Sequence, residues 1–168
     1  MDTERYRTAK KRIWAAIVDG ILFMPFLLVD KYLVYPTNNE NFIISWQTFT
    51  TFVPIFYSIF CHYKYGQTIG KWAAGVKVLD AEELKTISLK QSIIRQGVYL
   101  GIELTGFIYY FVLTLQTGDK YNMINGFYGF AATPIFLWTL AEFITMLVTV
   151  KRQAIHDYLA KSIVVRVD

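Results

Sequence analysis

Charged residues are nearly missing from four long stretches of this sequence, residues 13–35, 42–63, 96–115 and 127–150. Each stretch has about 20 or more residues, and a helix of that length crosses a hydrocarbon core of roughly 30 Å. With 54% hydrophobic and only 18% charged residues, the chain is too apolar for a soluble domain of its size. The sequence therefore predicts one all-α membrane domain over residues 1–168, a four-helix transmembrane bundle in contact with the lipid bilayer.

Cysteine and the common catalytic motifs are also scarce. The single cysteine, Cys61, excludes an internal disulfide and a pair of cysteine metal ligands, so we expect it to be a small buried apolar residue. The sequence has no His-E-x-x-H motif, no Ser/Lys pair and no glycine-rich phosphate loop. We therefore expect neither an enzyme, nor a bound metal, nor a cofactor.

Lys and Arg are distributed unevenly around the four stretches. Of 17 such residues, 15 precede the first stretch or lie within 64–95 and 151–168, and only two do not: Lys31, at the outer end of the first stretch, and Lys120, in the third connection. The positive-inside rule then places both termini and the middle connection in the cytoplasm of a multi-pass protein. Because these charges follow the membrane boundary, anionic lipid headgroups explain the net charge of +4 better than nucleic acid does.

The middle connection and the tail contain signs of regular structure. Residues 76–79 alternate in polarity and residues 163–167 are mostly β-branched, which predicts a small cytoplasmic two-stranded sheet. Ser88 followed by Gln91 has the spacing of a capping box, so a helix should begin near Leu89. We expect this amphipathic helix to lie first on the membrane surface and then to continue inward as the third span.

Two features are expected within the third span. Gly97 and Gly101 have the G-x-x-x-G spacing that allows another helix to approach closely. Thr117 and Gly118 are expected to end the helix.

Three carboxylates lie where lipid is expected. Asp19, Glu103 and Glu142 each cost about 2.5 to 3.5 kcal/mol at a helix centre, so they should face the bundle interior. They would then be ion-paired, protonated, or in contact with a watery cavity. Such residues either only fix the register of the helices, or form a cation or proton pathway, or support docking of another membrane protein.

Arg12 and Asp19 lie two helical turns apart on one face of the first helix. A helical Arg side chain leans toward the N-terminus, so each residue should find its partner on another segment. We expect Asp157 to be within reach of Arg12, and either Arg95 or Lys71 to approach Asp19. One polar cluster of Arg12, Asp19 and Asp157, with Arg95 as a further cation, is therefore predicted near the cytoplasmic end of the bundle.

The arrangement of these residues resembles the RDD family of bacterial membrane proteins. The resemblance covers nearly the whole chain through residues 12–19 (RIWAAIVD), residues 66–71 (GQTIGK), Arg95 and residues 156–165 (HDYLAKSIVV). The arginine and two aspartates that name the family match Arg12, Asp19 and Asp157. Two positions depart from the family pattern: residues 80–83 (DAEE) stand where a glycine is more usual, and Lys161 stands where a small residue is common.

The resemblance implies a fold and two alternative functions, in a bacterial cytoplasmic membrane. Some members are proposed to exchange small cations or sodium for protons, and here Asp19 with Glu103 or Glu142 would be the pathway, in a homo-oligomer because four helices form a thin path. Other members are suspected to associate with membrane proteins, which favours a non-catalytic regulator or stabilising partner. His156, beside Asp157, is a candidate pH sensor.

Overall fold

The computed structural model describes residues 3–114 and 120–167. In chain order its helices and strands are α1 (Ala9–Val29), α2 (Glu40–Tyr65), α3 (Ile69–Ala73), β1 (Val76–Asp80), α4 (Leu89–Arg95), α5 (Gly97–Thr114), α6 (Lys120–Val148), α7 (Ile155–Leu159) and β2 (Ser162–Arg166). Helix α1 is extended at its C-terminal end by a π-helical segment, Asp30–Val34, and a 3-10 turn, Tyr35–Thr37.

The long helices correspond to the four apolar stretches. Three helical segments, Glu4–Thr37, Glu40–Tyr65 and Asn122–Val148, are long and apolar enough to cross a membrane. Helices α4 and α5 form a fourth candidate if the bent pair is counted as one span. Helix α6 begins at Lys120, so the expected loop of residues 116–126 is in part helical. The expected end of the third span at Thr117 and Gly118 lies outside the described residues.

The helix before the third span begins where the capping box predicts. The Ser88 N–H donates to the Gln91 side chain at 2.9 Å, and the Gln91 N–H donates to the Ser88 hydroxyl at 3.3 Å. The chain then bends by 72° between α4 and α5. Ser92 and Arg95 are buried whereas Leu89 and Ile93 are exposed, so α4 turns its polar face to the protein. An apolar outer face is the arrangement expected of a helix that lies against lipid.

A small sheet joins the middle of the chain to its end, as predicted. Strands β1 and β2 are antiparallel, with Val78 opposite Val164 and Val76 opposite Arg166. Val167 lies just past the strand, yet its N–H still donates to the Gly75 carbonyl at 3.0 Å. The buried apolar core formed there contains side chains from both strands and from α1: Ala15, Ala74, Val76, Val78, Ile87 and Val164. The sheet therefore packs against the N-terminal half of α1.

The two departures from the family pattern both occupy left-handed backbone positions. Glu83 has φ of 62° and Lys161 has φ of 48°, in the region that normally favours glycine. The Glu83 carboxylate accepts from the Tyr6 hydroxyl at 2.7 Å and pairs with Arg5 at 3.2 Å and Lys151 at 3.4 Å. Burial opposes ionisation of Glu83, but these hydrogen bonds and charges lower its pKa overall. The Glu83 carboxylate thus connects this turn to the segment before α1 and to the segment after α6.

Candidate functional site

A buried carboxylate with two arginine partners lies where α1, α4 and α7 meet. Asp157 is fully buried; its Oδ2 accepts from Arg12 Nη1 at 2.7 Å, and its Oδ1 pairs with Arg95. The Asp157 side chain also accepts from the N–H of Ala154 at 3.0 Å, which fixes it in the first turn of α7. Burial alone would raise the pKa of Asp157, but Arg95 and Arg12 hold it well below its usual range. We call Arg12, Arg95 and Asp157 the arginine–aspartate cluster.

Neighbouring polar groups hold the two guanidinium groups in place. Arg12 Nε donates at 3.2 Å to the hydroxyl of Thr8, the N-cap residue of α1. Arg95 Nη1 donates to the hydroxyl of Ser162, the first residue of β2, at 2.6 Å. Ser162 was not predicted as a site residue from the sequence, although it directly precedes the predicted strand of residues 163–167. The cluster thus joins the first helix, the bent helix pair and the tail.

His156 extends this cluster toward α6. Its Nδ1 lies 2.5 Å from Glu142, and its Nε2 lies 3.1 Å from Arg95 Nη2. Because a guanidinium nitrogen only donates, Nε2 must accept, and the proton of a neutral ring then lies on Nδ1 and is donated to Glu142. The structure therefore places two predicted residues, Glu142 and His156, beside the arginine–aspartate cluster.

Asp19 has a different set of partners from the one predicted. Its oxygens accept from the Thr68 hydroxyl at 2.6 Å, the Gly70 N–H at 2.8 Å and the Tyr57 hydroxyl at 3.1 Å. Arg95 pairs with Asp157 instead, and among the described residues Lys71 makes no ion pair within 4.0 Å. Asp19 therefore fastens α3 and α2 to α1 through neutral donors.

The contact between α3 and Asp19 explains why residue 70, the last of the GQTIG segment, is a glycine. A Cβ built on Gly70 would lie 2.1 Å from the Ala15 carbonyl oxygen and 2.7 Å from Asp19 Cγ. Thr68 both accepts from the Lys71 N–H at 3.2 Å, capping α3, and donates to Asp19. A side chain at position 70 would therefore push α3 away from the aspartate that holds it.

A cleft of about 520 Å³ separates α1, α2 and α5. Asp19 and Glu103 both line it, as do Arg12 and Lys71. Glu103 is buried and accepts from the Tyr128 hydroxyl at 2.9 Å, a partner that sequence analysis did not identify. We call this space the carboxylate cleft. Glu142 does not line it, so only two of the three predicted carboxylates share one cavity.

Two smaller expectations differ from the structure. Cys61 is partly exposed rather than buried, beside a surface hollow lined by Trp72 and Tyr65. Asp30 stands beside Lys31 at the outer end of the first span, where the sequence predicts an ordinary solvated charge, but it accepts from the Trp46 indole at 2.5 Å. Among the described residues, no group of three or more His, Cys, Asp or Glu side chains has an arrangement that could hold a metal ion.

Long apolar helices around a buried arginine–aspartate cluster define this chain as a membrane protein. The sequence model of the RDD family matches residues 6–161, and the chain belongs to that family. Comparisons with curated proteins and with solved structures found no match to it. The matched range includes Arg12, Asp19 and Asp157, so the resemblance that these residues carry is confirmed at the level of the family.

Proposed function

We propose that this RDD-family protein exchanges a small cation for a proton through the carboxylate cleft. The observation that carries the proposal is the placement of Asp19 and Glu103 around one cavity of about 520 Å³, with Lys71 at the same cavity. Carboxylate oxygens are suited to small hard cations, and carboxylates at membrane depth are costly unless they have a partner or a function. The proposed role is binding and transport, without a chemical reaction.

Lys71 supplies a group that can release the exchanged proton. Burial, followed by the nearby charge of Arg95, lowers the pKa of Lys71 from 10.5 to about 8. A cation that enters beside Asp19 would repel the Lys71 ammonium and lower this pKa further. Release of the lysine proton on cation entry is therefore the coupling that the charges in the cleft favour.

We expect purified protein in sealed vesicles to exchange protons for Na⁺ or K⁺, so that a gradient of the cation drives protons in the opposite direction. Glu103→Gln should abolish this flux, because the amide keeps the side-chain shape and can still accept from Tyr128 but no longer attracts a cation. Glu40→Gln, in the exposed first turn of α2, is the matched control and should keep full flux. Flux no greater than in empty vesicles, or full flux from Glu103→Gln, would contradict the proposal.

A second candidate function is stabilisation or regulation of another membrane protein. It is favoured by the hydrogen bonding of Asp19, which accepts from three donors of the chain itself, as expected of a structural residue. A partner at constant stoichiometry in gently solubilised native membranes, with activity that falls when this chain is deleted, would support it. Repeated recovery of this chain alone would count against it.

We also propose an orientation with both termini in the cytoplasm, in the cytoplasmic membrane of a bacterium. The support is the distribution of Lys and Arg, of which 15 lie in the three segments assigned to that side. With Cys61 replaced by serine, a cysteine placed at Asn38 should react with an impermeant reagent added outside intact cells. Reaction only from the cytoplasmic side would reverse the orientation.

A further inference from the structure

A second cleft, of about 270 Å³, lies between α1 and α6. These two helices barely contact each other within the described residues, so the cleft follows an unfilled gap between them. Three basic side chains line one part of it: Arg12, Lys71 and Arg95. Apolar side chains also line it, among them the exposed Ile13 and Phe143. We call this space the basic cleft.

Two donors at the basic cleft have no carboxylate partner among the described residues: one guanidinium nitrogen of Arg12 and the ammonium group of Lys71. Arg12 uses Nη1 for Asp157 and Nε for Thr8, but its buried Nη2 has no hydrogen-bond partner. The Arg12 side chain is only 10% exposed, so water does not easily replace that partner. Lys71 makes no ion pair within 4.0 Å. A buried charged donor left unsatisfied costs more than an ordinary hydrogen bond gains.

The other charges of the cleft are already engaged. Arg95 pairs with Asp157, and Glu142 accepts from the His156 ring. The side chains that line the cleft include three cations and one carboxylate, Glu142. The hydrogen-bond donors that remain unused in the cleft can therefore bind an anion with oxygen acceptors.

We propose that the phosphate group of an anionic membrane phospholipid binds in the basic cleft, accepting from Arg12 Nη2 and Lys71 Nζ. The acyl chains would follow the gap between α1 and α6, along Ile13 and Phe143. Basic pockets between membrane helices are established places for lipid phosphates. A phospholipid matches both the charged and the apolar part of the cleft, whereas free phosphate matches only the charged part. The basic cleft shares Arg12, Ala16 and Lys71 with the carboxylate cleft, but lipid binding there does not depend on transport.

The test is binding of phosphatidylglycerol or phosphatidylcholine to the full purified chain in detergent, measured by native mass spectrometry and by thermal stabilisation. The wild type should retain phosphatidylglycerol in preference to phosphatidylcholine, and excess inorganic phosphate should not displace it. Lys71→Gln should weaken binding of phosphatidylglycerol about fivefold, the effect of one basic group near a lipid headgroup. Lys10 is an exposed lysine in the first turn of α1, so Lys10→Gln should leave binding unchanged.

A second variant keeps all charges and narrows the cleft. Ala16 lines the basic cleft, so Ala16→Phe should also weaken phosphatidylglycerol binding, and this variant decides the matter if Lys71→Gln does not fold. Equal binding of both lipids would overturn the proposal. So would equal losses in Lys71→Gln and Lys10→Gln, which would indicate diffuse surface attraction. Displacement of the lipid by inorganic phosphate would assign the site to free phosphate instead.

Discussion

Replacing Asp157 with alanine is expected to lower the free energy of unfolding by about 3 to 5 kcal/mol. The change leaves the buried guanidinium group of Arg95 and the largely buried one of Arg12 without their carboxylate. It also removes the acceptor of the Ala154 N–H in the first turn of α7. Thermal or denaturant unfolding of the purified protein in detergent at neutral pH measures the loss.

Glu4→Ala is the matched control for the Asp157 prediction. Glu4 pairs with Arg7 at 2.6 Å, but both side chains are more than half exposed. An exposed pair contributes at most about 1 kcal/mol, because water competes for both charges. If the two variants lose the same small amount, the arginine–aspartate cluster does not stabilise the fold, and its charges must be explained by function alone.

Lys71→Met is expected to stabilise the protein below pH 8, by up to about 3 kcal/mol. Burial, with the charge of Arg95, lowers the pKa of Lys71 from 10.5 to about 8, and that difference is the cost of keeping a charged ammonium in the fold. Between pH 8 and 10.5 the folded lysine is neutral while the unfolded one still binds a proton, so wild-type stability rises with pH. The advantage of the variant should therefore shrink over this range and vanish above it.

Unfolding at a series of pH values compares this variant with wild type and with Lys10→Met. The groups whose charges act on Lys71 are Arg95, Asp19, Arg12 and Asp157. Lys10 is exposed, so its replacement should change stability little at any pH. A Lys71→Met protein less stable than wild type at pH 7 would show that the ammonium has a stabilising partner.

The fold was largely predictable because its signals are strong or local. Apolar stretches of about 20 residues predict membrane helices, and the Ser88–Gln91 capping box marks the start of α4 within a few residues. The pairing of β1 with β2 followed from strand composition, since a lone strand leaves its backbone groups unpaired. The 72° bend was not predicted as an angle; it follows Arg95, whose side chain donates to Ser162 of the tail, and a local sequence pattern does not show such a distant contact.

The site was predictable only where few partners were possible. Asp157 is buried among arginines, and an arginine can be neutralised only by an anion, so the pairing with Arg12 followed from sequence. Asp19 can be satisfied by hydroxyl or backbone donors as well as by cations, and composition does not distinguish them. The sequence also did not show which glycine allows a close contact with another helix. A Cβ on Gly97 or Gly101 would meet nothing within 4 Å, whereas one on Gly106 would lie 2.9 Å from Phe127.

The distance along the chain between Arg12 and Asp157 has a consequence for biosynthesis. The two residues are 145 positions apart, and β2, which completes the sheet, begins only at Ser162. During synthesis, Arg12 in the first helix therefore has no carboxylate partner until Asp157, which follows α6 in the chain, has left the ribosome. A chain interrupted before Asp157 would therefore leave the guanidinium groups of Arg12 and Arg95 without their carboxylate.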